Sequence, residues 1–256
     1  MIDEDRRVVQ DGLLVINRAC ASVLDELELT QVSDVFADDF GRLLRSKPDR
    51  DNVLCETSSG VYFLKRHRPA RVQEGLVEWA NCMKVSRAGI RTAECVCAGA
   101  GEDGSSFLLT AGLEGEPLDD FLRRGRLHPR LRRELARELG QLIGRLHDGG
   151  LCHRDFYLCH VFVDVSRPVG ERMALIDLQR VSGMGWLRRA RWRIKDLGAL
   201  VYSSIGLPVS DRDRARVLVV CGGDRGRRRR RLARRVGRRA SRLLKRHGVP
   251  AAPEPR

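Results

Sequence analysis

One strongly amphipathic segment, residues 128–150, divides this sequence into two parts with different patterns. Before it, short apolar runs separated by turn residues predict strands; after it, long Arg-rich stretches have helical spacing. The Gly149-Gly150 pair at its end is a typical helix stop. Strands followed by helices are typical of an α+β fold. The apolar face of the segment consists of Leu131, Leu135, Leu139, Leu142, Ile143 and Leu146.

The part before residue 128 predicts a small sheet with one long helix. Residues 52–65, NVLCETSSGVYFLK, predict a β-hairpin with TSSG as its turn, and the runs AECVCAGA and SSFLLTAGL predict two more strands. Residues 71–88 predict a helix that Gly89 ends. The apolar face of this helix is expected at Leu76, Val77, Ala80 and Met83.

The two patterns predict a two-lobed chain. The first lobe is small and β-rich, and the second is mainly helical, with Arg-rich helices over 188–206 and 211–248. The expected divisions are an N-terminal extension (1–29), the first lobe (30–112), the second lobe (113–248) and a tail (249–256).

The basic residues are concentrated at the C-terminal end. The net charge is +14; residues 184–256 contain 22 Lys and Arg against 5 Asp and Glu, and the other residues contain 26 against 29. Such a surface attracts phosphate-rich partners: nucleic acid, anionic lipid or a phosphorylated glycolipid. Few aromatic residues and the lack of an RNA or DNA motif argue against nucleic acid.

The distribution of apolar residues also predicts where in the cell the protein is located. No run of about 18 apolar residues occurs, which predicts no transmembrane helix. The start, MIDEDRRVVQDG, has no apolar signal-peptide core. We therefore expect a cytoplasmic protein, attached peripherally to the anionic inner face of the cytoplasmic membrane.

Four polar residues occur in the order that phosphoryl transfer requires. Lys65 closes a predicted strand, and Glu78 lies in the helix that follows. Asp155, in His-Arg-Asp, follows the long helix, and Asp177 follows a short apolar strand. In phosphoryl transfer a lysine steered by a glutamate neutralises nucleotide phosphates, one aspartate accepts or orients the acceptor hydroxyl, and another holds Mg²⁺.

Two questions stay open at this point. Cys152, His153, Cys159 and His160 are an alternative zinc site, although their spacing is unusual for one. No Gly-rich G-x-G-x-x-G precedes Lys65, so the loop over the phosphates is either ADDFGRLL or the TSSG turn.

The runs GLCHRDFYLCHVFVDV, ALIDLQRV and RARWRIKDLGALVYSS resemble the Kdo/WaaP lipopolysaccharide kinase family over roughly residues 30–210. The resemblance implies a bilobal protein-kinase-like fold, ATP and Mg²⁺ as cofactors, and a sugar hydroxyl as acceptor. It further implies a phosphorylated glycolipid such as lipopolysaccharide as partner.

The resemblance also implies roles for single residues. Asp155 would be the catalytic base, flanked by His153 and Arg154, and Asp177 would ligate the metal at a site that also includes His160. Asp196, in KDLG, would hold the catalytic loop by accepting backbone hydrogen bonds. The ATP site would include Lys65, its partner Glu78, Thr110 and Leu113.

The resemblance implies that His160 is a normal feature of the site. Protein kinases have a metal-binding asparagine at this position. A neutral imidazole is a poor Mg²⁺ ligand, so His160 would instead donate to a phosphate or to Asp155. We therefore expect one well-held metal ion.

Only 19 positions separate Asp177 from Asp196, too few for the long segment with which protein kinases bind peptides. This favours a glycolipid or small-molecule acceptor. The expected function is an ATP-dependent kinase for a sugar hydroxyl of the lipopolysaccharide inner core or a related envelope glycolipid. The alternatives are a protein or aminoglycoside-type kinase of the same fold and a non-catalytic kinase-like binding module.

Overall fold

The computed structural model describes residues 3–125, 127–222 and 226–250, so most of the predicted tail lies outside the described residues. The described residues form two compact units. One comprises the chain up to Arg87 together with Ala93–Leu113, and the other comprises Ala88–Thr92 together with the chain from Glu114 onward.

The secondary structure has short strands throughout and its longest helices in the second unit. The strands are β1 (Glu4–Val9), β2 (Gly12–Asn17), β3 (Arg42–Ser46), β4 (Arg50–Thr57), β5 (Gly60–His67), β6 (Arg91–Thr92), β7 (Cys95–Gly101), β8 (Ser106–Ala111), β9 (Glu116–Pro117), β10 (Leu151–Cys152), β11 (Val161–Val163), β12 (Met173–Leu175) and β13 (Ser182–Gly183). The helices are α1 (Ala21–Glu26), α2 (Glu74–Arg87), α3 (Leu118–Arg123), α4 (Pro129–Asp148), α5 (Arg189–Ser203), α6 (Asp211–Gly222) and α7 (Arg227–His247).

The first unit is built on an antiparallel sheet of seven strands in the order β1-β2-β7-β8-β5-β4-β3. The predicted hairpin is confirmed as β4 and β5, with Val53 opposite Leu64. Strands β1 and β2 come from the segment predicted as an extension. Strand β2 joins the sheet because Leu14, Val15 and Ile16 are buried, and β1 is the edge strand that pairs with β2.

Helix α2 buries a different face from the one that the apolar spacing predicts. Val77 and Ala80 are exposed, whereas Glu78 and Trp79 are buried. The prediction was wrong for Val77 and Ala80 because apolar spacing alone leaves a polar residue such as Glu78 out of the buried face. A glutamate can be buried when it has a cationic partner, and Lys65 provides one.

The second unit is mainly helical, which together with the sheet of the first unit confirms the α+β class. The predicted apolar face of α4 is confirmed, with Leu135, Leu139 and Leu146 buried. Helix α7 packs on α5 through Val236, Ala240 and Leu243, which are buried.

Gly198 lets helices α5 and α7 approach closely. A Cβ atom at this position would collide with the Arg239 side chain, so only glycine fits. The close approach holds the Arg-rich helix α7 against α5, within the second unit. No described helix is both long and apolar enough to cross a bilayer.

Candidate active site

Two strand pairings in the second unit bring the predicted catalytic and metal loops together. The loop that contains Asp155 lies between β10 and β11, and the loop that contains Asp177 lies between β12 and β13. Strand β10 pairs with β13, and β11 pairs with β12, both antiparallel. Both ends of one loop are therefore held next to the ends of the other.

The carboxylate of Asp196 anchors the Asp155 loop. Asp196 lies on α5 and is fully buried. Its Oδ2 accepts from the backbone N–H of His153 (3.0 Å), and its Oδ1 accepts from that of Arg154 (2.8 Å). His147 Nε2 donates to the same Oδ2 at 3.1 Å. The backbone bonds are those that the family resemblance implies for Asp196.

His153 ties the two loops together. Its ring is fully buried, and Nε2 lies 3.1 Å from the carbonyl oxygen of Ile176, the residue before Asp177. A carbonyl only accepts, so Nε2 carries the proton. Burial, followed by the nearby His160 ring, lowers the pKa of His153, so the ring is neutral at neutral pH. The ring therefore acts as a structural link rather than as a proton carrier.

His160 lies between the two aspartates. Its Nδ1 donates to the backbone carbonyl of Asp155 at 2.8 Å, and its Nε2 lies 3.5 Å from Asp177 Oδ2. The bond to the Asp155 backbone, rather than to its carboxylate, fixes the orientation of the ring. The remaining ring nitrogen is thereby directed toward the carboxylate that is expected to hold metal.

Arg154 and Asp177 adopt left-handed backbone conformations, with φ of 71° and 58°. For residues other than glycine this conformation costs about 1–3 kcal/mol each and persists only where the surroundings impose it. The Asp196 hydrogen bond to Arg154 N is one such constraint. Strain of this kind is concentrated at functional sites, which supports the choice of these loops.

Arg180 is a site residue that the sequence interpretation missed. It follows Asp177 by three positions, and its guanidinium forms an ion pair with Asp155 Oδ2 at 2.8 Å. Arg180 lies in the run ALIDLQRV, but its partner Asp155 is 25 positions away, and no spacing rule connects the two residues.

In the first unit, Lys65 and Glu78 form the expected ion pair. Lys65 Nζ on β5 lies 2.8 and 3.0 Å from the two carboxylate oxygens of Glu78 on α2. The Glu78 side chain is almost fully buried, so the pair fixes the lysine head. On the neighbouring strand β8, Thr110 Oγ1 donates to the Phe63 carbonyl at 3.3 Å, and Leu113 is the last residue of this unit.

The structure of the second unit does not support a zinc site made of Cys152, His153, Cys159 and His160. Cys152 Sγ contacts the Ser182 carbonyl and hydroxyl, and His153 Nε2 is engaged by Ile176. Within the described ranges, no group of three or more His, Cys, Asp or Glu side chains could hold a metal ion.

The site does fit one Mg²⁺ ion shared with a nucleotide. Mg²⁺ has six ligands at about 2.1 Å and usually takes only one or two from the protein, with phosphates and water completing the shell. Asp177 Oδ2 and His160 Nε2, 3.5 Å apart, are close enough to face the same ion.

Comparisons with known proteins identify the family of the chain. The model of the lipopolysaccharide kinase (Kdo/WaaP) family matches residues 64–220, more than half of the chain. The lipopolysaccharide core heptose(I) kinase WaaP of Pseudomonas aeruginosa is 29% identical, over 70% of this chain and 75% of its own. The Escherichia coli K12 protein of the same name is 28% identical, over 72% and 78%.

Two solved structures are similar in fold. The structure of WaaP in complex with acyl carrier protein superposes with a TM-score of 0.67 and 27% identity, covering 90% of this chain and 98% of that one. An aminoglycoside-3'-phosphotransferase of type VIII, at 15% identity, gives a TM-score of 0.51 over 92% and 93% of the two chains and shows the shared kinase-like fold alone. The chain belongs to the lipopolysaccharide kinase (Kdo/WaaP) family.

Proposed function

We propose that this protein is an ATP-dependent kinase that phosphorylates a sugar hydroxyl of the lipopolysaccharide inner core. Its relatives are named as heptose kinases of that core. The observation that carries the proposal is the pairing of two loops that places His160 in contact with both Asp155 and Asp177. The arrangement places a candidate proton acceptor and a candidate metal ligand on neighbouring loops.

In the proposed reaction, the acceptor hydroxyl oxygen attacks the γ-phosphorus of ATP, the bond from that phosphorus to the β–γ bridging oxygen breaks, and ADP leaves. The Asp155 carboxylate orients the hydroxyl and takes its proton. Arg180 holds the Asp155 carboxylate in one orientation. Lys65, fixed by Glu78, neutralises nucleotide phosphate charge, and Thr110 and Leu113 contact the nucleotide.

Asp177 would hold the Mg²⁺ ion, with His160 beside it. When bound, the ion neutralises charge on the phosphate oxygens. The single carboxylate is consistent with one well-held ion rather than two. His153 and Arg154 act by positioning Asp155, since the first links the two loops and the second is fixed by Asp196.

The second unit has a small recess that is partly open to solvent. It lies among α3, α4, α5 and α6, and Leu122, Ala136, Leu139, Leu200 and Val217 are among its lining residues. Apolar groups dominate its inner surface, and Arg132, Ser204, Asp213 and Arg214 also line it. One structural neighbour was solved with acyl carrier protein. We propose that the recess binds the acyl group of such a carrier.

Helix α7 is suited to an anionic membrane surface. It contains twelve Lys and Arg and no Asp or Glu, and Arg234, Arg235 and Arg238 are exposed. Each basic residue near an anionic bilayer contributes about 1 kcal/mol of attraction. We propose that α7 attaches the protein to the inner face of the cytoplasmic membrane, where a lipid-linked acceptor is presented.

Replacing each aspartate separates the two proposed roles. Asp155→Asn should reduce transfer to lipopolysaccharide core oligosaccharide at least about a hundredfold, because the proton acceptor is gone. Its thermal stabilisation by Mg²⁺ and ATP should stay close to that of the wild type. Asp177→Ala should lose that stabilisation. Mass spectrometry of the oligosaccharide measures the transfer, and Asp211→Asn, a fully exposed carboxylate, is the control.

Two outcomes would contradict these roles. Loss of ATP binding in Asp155→Asn would place that residue at the nucleotide instead of the acceptor. A wild-type protein that gains no stability from Mg²⁺ and ATP would be a binding module rather than a kinase.

The acyl recess is tested by comparing two forms of one carrier. Acyl carrier protein loaded with a long-chain acyl group should bind at least about tenfold more tightly than the unacylated form, because only the first buries hydrocarbon. Ala136→Phe, which fills the recess, should remove the difference, whereas Ala190→Phe at an exposed position should keep it. Equal binding of both forms to the wild type would exclude an acyl site.

Membrane attachment is tested by vesicle sedimentation. The protein should bind vesicles that contain phosphatidylglycerol but not phosphatidylcholine alone, and added salt should weaken binding because exposed charges are screened. The double change Arg234→Glu with Arg238→Glu should weaken binding further. The matched pair Arg133→Glu with Arg137→Glu, exposed on α4 at the same spacing, should have less effect. Salt-insensitive binding would point to an apolar anchor.

A further inference from the structure

Three cationic residues lie near Asp155: its chain neighbour Arg154, its ion-pair partner Arg180, and Lys195, whose pKa the Asp155 carboxylate raises. Arg180 pairs with that carboxylate at 2.8 Å. The guanidinium of Arg154 lies over the ring of Trp192, 5.2 Å from the centroid, and Lys195 Nζ lies 5.4 Å from the same centroid. Both distances are within the range of cation–π attraction. Trp192 therefore holds two cationic heads beside the residue proposed to activate the acceptor.

The neighbouring carboxylates do not form ion pairs with all the cations of this group. Arg180 is engaged by Asp155, and the oxygens of Asp196 are taken up by two backbone N–H groups and His147. In the part of the chain that the structure describes, Arg154 and Lys195 form no ion pair, and Arg154 Nε is buried without a hydrogen-bond partner. Half-buried cations without a counterion are costly unless a ligand supplies one.

The electrostatic surroundings of Lys195 show that these groups act on one another. Burial lowers the pKa of Lys195, the Asp155 and Asp196 carboxylates raise it, and Arg180 and Arg154 lower it further. An anion bound beside Lys195 would therefore stabilise its charged form. Lys195 and Trp192 lie three positions apart on α5, so one helical face presents both.

We propose that Arg154 and Lys195, positioned by Trp192, bind a carboxylate or phosphate group that the acceptor sugar carries close to the hydroxyl facing Asp155. This rests on the proposed function and narrows its acceptor to an acidic sugar. Arg154 can engage such a group through two parallel N–H donors, and Lys195 adds a point charge. The pair thus sets acceptor specificity, while Arg180 positions the catalytic carboxylate.

The anion that Arg154 and Lys195 bind could come from either of two molecules: the acceptor sugar or ATP, through its γ-phosphate. The Asp155 carboxylate raises the pKa of Lys195 more than the Asp196 carboxylate does, and the proposed substrate atom of Asp155 is the acceptor hydroxyl. The acceptor is therefore the favoured source, and the effect of each variant on the KM for ATP distinguishes the two.

The experiment uses three preparations of deacylated lipopolysaccharide core oligosaccharide: intact, with its carboxylates reduced to alcohols, and enzymatically dephosphorylated. The wild type should lose at least about tenfold in kcat/KM on one of the two stripped preparations, as expected for one charge-assisted contact. In Lys195→Ala the same loss should shrink to less than about threefold. The KM for ATP should stay within about twofold of the wild-type value.

Matched variants separate charge from structure. Lys195→Arg keeps the charge and should keep the preference for the intact oligosaccharide. Arg191→Ala removes an exposed cation from the same helix and should also keep it. Thermal unfolding of each variant checks folding, and a purely structural defect would reduce activity on all preparations in the same proportion.

Each remaining outcome gives a definite answer. A wild type that treats all three preparations alike, or a Lys195→Ala variant that keeps the full preference, would overturn the inference and leave the kinase proposal standing. A raised KM for ATP with an unchanged preference would assign the cations to the nucleotide. Failure of the wild type to phosphorylate any of the preparations would overturn the proposed function together with this inference.

Discussion

One buried carboxylate, Asp196, is the constraint on which the second unit's site depends. It is fully buried, and it accepts two backbone N–H groups of the Asp155 loop and the ring N–H of His147. Hydrogen bonds to a charged acceptor are roughly twice as strong as neutral ones, and the low dielectric of the interior strengthens them further. The left-handed conformation of Arg154, which is unfavourable by itself, is held by one of these bonds.

Further contacts connect the Asp196 hydrogen bonds to the loop of Asp177. His153 carries the constraint to the loop of Asp177 through the Ile176 carbonyl, and His160 contacts both aspartates. The loops are closed at their ends by strand pairing, which fixes the backbone on both sides of each aspartate. Such a preorganised arrangement is what phosphoryl transfer needs, because the protein contributes positioning and charge rather than covalent chemistry.

The sequence predicted local and periodic features well and non-local ones poorly. The α4 face, the β4–β5 hairpin and the pairing of Lys65 with Glu78 follow from spacing or from family motifs. The buried face of α2 was misassigned because hydrophobic periodicity does not register a glutamate paired across the unit. The contact of Arg180 with Asp155 was missed for a similar reason: it joins two loops brought together by strand pairing, which no local pattern encodes.

The most direct test of this account is the steady-state kinetics of Asp196→Asn with core oligosaccharide and ATP. The amide keeps one acceptor oxygen but turns an NH₂ group toward the backbone N–H groups, so the loop should shift. A shift of this kind costs about a hundredfold, so we expect kcat to fall by that factor, with the KM for ATP nearly unchanged and folding confirmed by thermal unfolding. A folded Asp196→Asn protein with wild-type kcat would contradict the claim that this carboxylate sets the geometry of the site.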